Sequence, residues 1–208
     1  MKKILSVLVF LLCCCPICSH EAWYDSELSE LQEQNFINAV HFQNPDTPIL
    51  REEICDILVS LYKHQHPDEE IKSKANSFTD IQNSAFKKSI KYAYSLGMIQ
   101  GVSNTEFQGQ GTLTREQFAT IIYRMHGQPI APVRAYRDEP EISDYAISAI
   151  DYCIQQGFVK GTQKDFFSPQ KSLTKAEALA IINVCIIIIP VVVITLIIFN
   201  IISIYNIS

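Results

Sequence analysis

Apolar residues recur at helical spacing through the middle of the chain and run almost unbroken at its two ends. Phe86, Ile90 and Ala93 line one face of a helix expected from about Ser84 to Leu96. Ile147, Ile150 and Ile154 do the same for a helix from about Asp144 to Gln156. Each of these helices is followed by a short polar stretch and then by a second apolar stripe. Phe118, Ile121, Ile122 and Met125 form the first such stripe, and Leu179, Ile181 and Ile182 form the second. Upstream, Ile54, Ile57, Leu58 and Leu61 give a third stripe of the same kind, preceded by a short opening helix near Glu27 to Gln34. The pattern predicts a mainly α chain of paired helices.

The pairs repeat. Gly97 matches Gly157, Gly101 matches Gly161, Phe107 matches Phe167 and Thr114 matches Thr174, always at a spacing of 60 positions. Phe78-Thr-Asp80 matches Tyr136-Arg-Asp138 at a spacing of 58, so the later copy carries a two-residue insertion. Recurrence of several residue classes, in order and at one period, marks an internal repeat. Within each copy, Gly97 and Gly157 stand where a helix ends in a left-handed residue. Thr114-Arg-Glu-Gln117 and Thr174-Lys-Ala-Glu177 have the form of a capping box that opens the second helix. The upstream copy is eroded. Its Ile49-Leu50-Arg51-Glu52-Glu53 aligns with Leu113 to Gln117, Leu50 replaces the capping threonine, Phe42 matches Phe107 loosely, and Asn35 and Ala39 take the glycine positions. The organisation read from the chain is a leader at 1–19, copies at 24–66, 78–126 and 136–184, and an apolar segment at 184–205. Polar or proline-rich linkers at His64–Ser77 and Gln128–Arg134 separate the copies.

The ends change the picture of where the protein resides. Lys2 and Lys3, the apolar run Ile4–Leu12 and a small-residue zone ending at Ser19 have the form of a secretory signal peptide, with lipoprotein processing at Cys15 or Cys18 as the rival reading. Four of the seven cysteines lie in this leader. Cys55, Cys153 and Cys185 are far apart in apolar helical patterns and read as packed thiols. After Glu177 no charged residue occurs, and the run from Val184 is long enough to cross a bilayer. Its Ile, Asn and Tyr bias also fits a shifted reading frame in an A/T-rich gene. Charged residues make up 19% of the chain and the net charge is −5, with no basic stripe, which argues against nucleic acid as a partner. Five scattered histidines offer no metal-ligand spacing, and neither a nucleophile–base setting nor a phosphate loop is present. These features point away from an enzyme and from any cofactor or metal.

The repeats resemble the S-layer homology family. The motifs that carry the resemblance are Phe78-Thr-Asp80, Gly97-Met-Ile-Gln-Gly101, Phe107 and Leu113-Thr-Arg-Glu-Gln117 in one copy. In the next they are Tyr136-Arg-Asp138, Gly157-Phe-Val-Lys-Gly161, Phe167-Ser-Pro169 and Leu173-Thr-Lys-Ala-Glu177. The resemblance implies a pseudo-threefold module of helix-loop-helix repeats, with the opening helices in a central bundle. It implies an exported protein on the surface of a Gram-positive-type bacterium that binds an anionic, often pyruvylated, cell-wall polysaccharide in grooves between repeats. It further implies that Arg115 contacts the sugar, with Lys175 and Arg51 at the matching positions, and that Asp80, Asp138, Gly97, Gly101, Gly157 and Gly161 line the grooves. Taken on their own chemistry, Thr114, Gln117, Thr174 and Glu177 are helix caps, and Gly97 and Gly157 are turn residues. Asp80 and Asp138 could equally cap loops. Arg115 stands in a helix first turn, where free N–H groups and the positive dipole end would join its guanidinium in holding a carboxylate. The alternative is a membrane-anchored envelope scaffold whose repeats are structural or bind a protein.

Overall fold

The computed structural model describes residues 22–129, 138–159 and 166–185. The leader at 1–19 and the apolar run beyond residue 185 lie outside them. Six helices carry the described chain: α1 (Ala22–Glu33), α2 (Arg51–Gln65), α3 (Lys87–Ser95), α4 (Arg115–Met125), α5 (Ile147–Gln155) and α6 (residues 175–185). The architecture is mainly α, as the apolar spacing predicts. The helices at 84–96 and 144–156 are each shortened at the start. Residues before Lys87 form turns, and Asp144–Ala146 is a single 3-10 turn before α5.

The helix ends follow the sequence chemistry. Thr114 Oγ1 accepts from the Gln117 N–H while Gln117 Oε1 accepts from the Thr114 N–H. Thr174 and Glu177 make the same reciprocal pair. Leu50 has no side-chain oxygen, so only half of the box survives there: the Leu50 N–H donates to Glu53 at 3.0 Å. Gly97 and Gly157 both have φ of +75°, and Asn35 takes φ of +54° at the matching place in the eroded copy.

The centre is held by backbone. The Ile49 N–H donates to the Leu173 carbonyl (2.9 Å), the Leu173 N–H to the Leu113 carbonyl (2.9 Å), and the Leu113 N–H back to the Ile49 carbonyl (3.1 Å). Isolated antiparallel bridges Pro48–Thr174, Leu50–Thr112 and Thr114–Ser172 flank this closed ring. The three ring side chains are buried, and one continuous core extends from them through Ile54, Leu58, Phe118, Ile150 and Leu179. The packing differs from a central bundle of opening helices. Each opening helix lies on the closing helix of the preceding segment, α3 on α2 and α5 on α4. The three extended segments meet instead, and their buried backbone N–H and C=O groups satisfy one another.

Cys55, Cys153 and Cys185 are buried free thiols, and burial raises the pKa of each. The polar stretch starting at His64 is not wholly linker. His64 lies within α2 and stacks on Phe36 at 4.5 Å, and His66 stacks on Tyr62 and pairs with Glu69 at 3.5 Å. Among the described residues, no helix is long and apolar enough to cross a membrane.

Leu113 is fully buried at the ring. Leu113→Ala should lower the unfolding free energy by about 2–5 kcal/mol, read from urea-melt midpoints at an unchanged slope.

Candidate functional site

Around the ring, the first turn of each closing helix is fed by a loop of another segment. Arg51 and Glu52 donate their N–H groups to the carbonyls of Gly111 and Gly109. Arg115 and Glu116 donate to Lys171 and Pro169, and Lys175 and Ala176 donate to Thr47 and Pro45. The helix N-terminus expected to present free N–H groups beside Arg115 is therefore already occupied. Its Gln117 N–H goes to Thr114 Oγ1, and its Phe118 N–H to the Thr114 carbonyl. Any attraction for an anion there falls to side chains.

The three basic residues of this turn are placed in two ways. Arg51 Nε donates to the Phe107 carbonyl at 3.1 Å and its Nη2 to the Gln100 carbonyl at 2.9 Å, while the guanidinium carbon sits 4.9 Å from the Phe107 ring centroid. Arg115 repeats the arrangement one segment on, with Nε to the Phe167 carbonyl at 3.0 Å and the guanidinium 4.9 Å from the Phe167 ring. Both arginines are largely buried, at 7% and 8% exposure, and burial lowers both pKa values without threatening their charge. Lys175 lacks the planar fork and reaches Glu53 instead, Nζ to Oε1 at 2.7 Å.

Asp80 and Asp138 hold the loops that the arginines grip. Asp80 accepts from the Phe107 N–H at 3.0 Å and the Gln108 N–H at 2.7 Å. Asp138 accepts from the Phe167 N–H at 3.0 Å and the Ser168 N–H at 2.6 Å. The residues following the aromatics, Gln108 and Ser168, have φ of +55° and +59°, and each carboxylate fixes that bend. Burial works against the Asp80 charge, but these hydrogen bonds and the Arg51 charge prevail and its pKa is lowered. Gly101 is a site of close approach, since a Cβ there would come within 2.4 Å of the Phe78 ring and 2.6 Å of the Ser103 carbonyl. Gly97 and Gly157 face open space. Gly161 and Tyr136 lie outside the described residues.

Two acids went unremarked in the sequence pattern. Glu52 accepts from Ser84 Oγ at 2.7 Å and from Gln110 Nε2. Glu116 accepts from the Ser143 N–H at 3.0 Å, Ser143 Oγ at 2.8 Å and Tyr145 Oη at 2.9 Å. Each follows its motif arginine directly, and that recurrence was the available signal. The third copy has Ala176 at this place. At the first junction, Glu52, Asp80, Asn83, Ser84, Gly109 and Gln110 line a shallow cleft of about 190 Å³. Among the described residues, no group of three His, Cys, Asp or Glu side chains could hold a metal ion.

The profile of the S-layer homology domain matches residues 77–119 and 135–179. These two segments belong to the S-layer homology family. The chain is similar to an endoglucanase of Bacillus sp., 29% identical over 55% of this chain and 13% of the relative. It is similar to a surface layer protein of Brevibacillus choshinensis, 29% identical over 48% of this chain and 9% of the relative. A cellulosome-anchoring protein of Acetivibrio thermocellus is 27% identical over 67% of this chain and 32% of its own length. The chain thus spans at most about a third of these relatives. The second clamp, Arg115 with Asp138 and Phe167, lies within the two matched segments, and the first takes its Arg51 from outside them.

Glu116→Gln removes a buried charge from its donors and should cost about 1–3 kcal/mol at neutral pH. Burial raises the Glu116 pKa, but Ser143, Tyr145 and Gln170 together lower it below the ordinary 4.5. Its contribution is therefore complete above that value and fades as pH falls through the lower folded one. Urea melts at neutral pH and near pH ~3 should show the gap between wild type and Glu116→Gln narrowing at the acid end.

Proposed function

We propose that this protein is a non-catalytic cell-surface module that attaches to cell-wall polysaccharide through the junctions between its repeats. The observation that carries the reading is the membership of residues 77–119 and 135–179 in the S-layer homology family, together with the repeated clamp that joins Arg51 and Arg115 to the loop of the next segment. A surface layer protein and a cellulosome-anchoring protein are among the similar proteins. The endoglucanase match covers a small part of that enzyme and gives no catalytic group to this chain.

In this reading residues 24–66 act as the first of three copies, since Pro48, Leu50 and the 45–47 loop occupy equivalent places in the ring. Arg115 is the leading contact. Its Nε is fixed on the Phe167 carbonyl, and Asp138 and Glu177 lie within electrostatic reach of its charge. Arg51 serves the first junction beside Asp80, Gly97 and Gly101. Asp138 and Gly157, with Gly161, serve the second. Lys175, paired with Glu53, leaves the third junction the weakest. An acidic or pyruvylated sugar is the ligand that a planar guanidinium suits.

Sedimentation with purified sacculi tests this. The protein should pellet with intact walls and stay in solution once the wall polymer is chemically stripped. Arg115→Ala should weaken pelleting by about tenfold, the loss of one charge-assisted contact. Absence of pelleting, or pelleting that ignores both the stripping and the substitution, would sink the reading.

A second attachment, to membrane through 184–205, is supported by the lack of any charged residue after Glu177. Fractionation of producing cells distinguishes the two. Retention in membranes through a high-salt wash supports the span, and release by salt or free wall polymer refutes it.

A further inference from the structure

Tyr145 has a job that the clamp does not explain. It stands in the turn Asp144–Ala146 ahead of α5, between Ile142 and Ala146, which are both buried. Its own side chain is 55% exposed, the most open of the large apolar side chains among the described residues. Yet it is tethered. Its hydroxyl donates to Glu116 Oε1 at 2.9 Å, and Glu116, only 3% exposed, is itself fixed by the Ser143 N–H and hydroxyl. A surface tyrosine held at its tip by a buried acid loses rotamer freedom without burying its ring. What the arrangement delivers is a flat apolar face kept in one orientation at the edge of the second junction.

The surroundings are polar. Arg124, whose Nη2 bonds Gln100 Oε1 at 3.3 Å, is near enough to act electrostatically on the phenol. One ring tethered to a carboxylate is too small an apolar surface for a stable protein interface, which needs many such side chains. A lipid surface likewise requires a broad apolar face. A pyranose fits, because its C–H face is flat and apolar while its rim is polar. Aromatic rings bearing a polar handle supply large, rigid contact area at low entropic cost. Phe86 stands as far beyond Ser84 as Tyr145 beyond Ser143, but it has no hydroxyl and its ring lies tilted against His41 at 5.6 Å.

We propose that Tyr145 is the platform on which one sugar ring of the wall polymer stacks. The proposal rests on the wall-polysaccharide reading above and adds a residue and a place to it. Titration calorimetry with wall polysaccharide released from sacculi separates the two. Tyr145→Ala should bind about tenfold more weakly than wild type, the size of one interface anchor. Tyr145→Phe keeps the ring and should stay within about twofold of wild type. Equal affinity of Tyr145→Ala and wild type, or an equal loss in both variants, would overturn the platform while leaving wall binding intact. Failure of wild type to bind would overturn both. Hydroxyl-radical footprinting of the wild-type protein gives a test free of folding effects: oxidation of Tyr145 should fall when the polymer is added, and an unchanged rate refutes stacking.

Discussion

Three backbone hydrogen bonds, from Ile49 to Leu173 to Leu113 and back, are the constraint on which the other contacts depend. Each bond is individually modest, worth on the order of 1 kcal/mol net. Their importance is geometric. Closing the ring sets the register in which each closing helix meets a loop of another segment. That register lets six helix-start N–H groups find carbonyl partners across segment boundaries. Orphan N–H groups at a helix start are usually met by a local cap or by water. Here the local caps take only part of the load, and neighbouring segments supply the remainder.

The same register explains why the motif residues cluster. Arginine, aspartate and aromatic are distant in sequence, yet Arg115, Asp138 and Phe167 converge because the helix start and the loop are already joined through backbone. The guanidinium then fills the space above the ring and caps the loop carbonyl. The aspartate satisfies the N–H groups on the loop's other side. Positions offered by sequence logic as ligand contacts are thus also structural clamps. The two roles are compatible: a charge held by carbonyls is pre-positioned, so little ordering remains to be done when a ligand arrives.

Much of this was legible in the sequence. Apolar spacing located the helices, Thr114 and Thr174 announced their starts, and the φ > 0 positions fell at Gly97 and Gly157 as turn chemistry requires. The order of packing was not legible. Helical stripes show which face is buried but not against what, so the crossing of α3 onto α2 and α5 onto α4 could not be read. Nor could the occupied N–H groups at Arg115, because their acceptors, Lys171 and Pro169, lie in a loop with no sequence mark of that duty. Glu52 and Glu116 looked like ordinary surface acids of a helix first turn. Ser84, Ser143 and Tyr145, brought in from the next opening turn, and Gln110 from the loop give them donors. Lys175 was read as a weaker arginine. Its compact ammonium could not span carbonyl and ring together, and it settled on Glu53.

That ion pair joins two ends of the described chain. Lys175 and Ala176 complete the first segment's loop at Thr47 and Pro45, and Lys175 also neutralises Glu53 in the first closing helix. The first segment to leave the ribosome therefore waits for the last before its own loop and helix are fully paired. Closure is a late event, spanning nearly the whole described sequence, and contacts so distant along a chain form slowly. The ring and this ion pair therefore tie the stability of the first segment to the presence of the last.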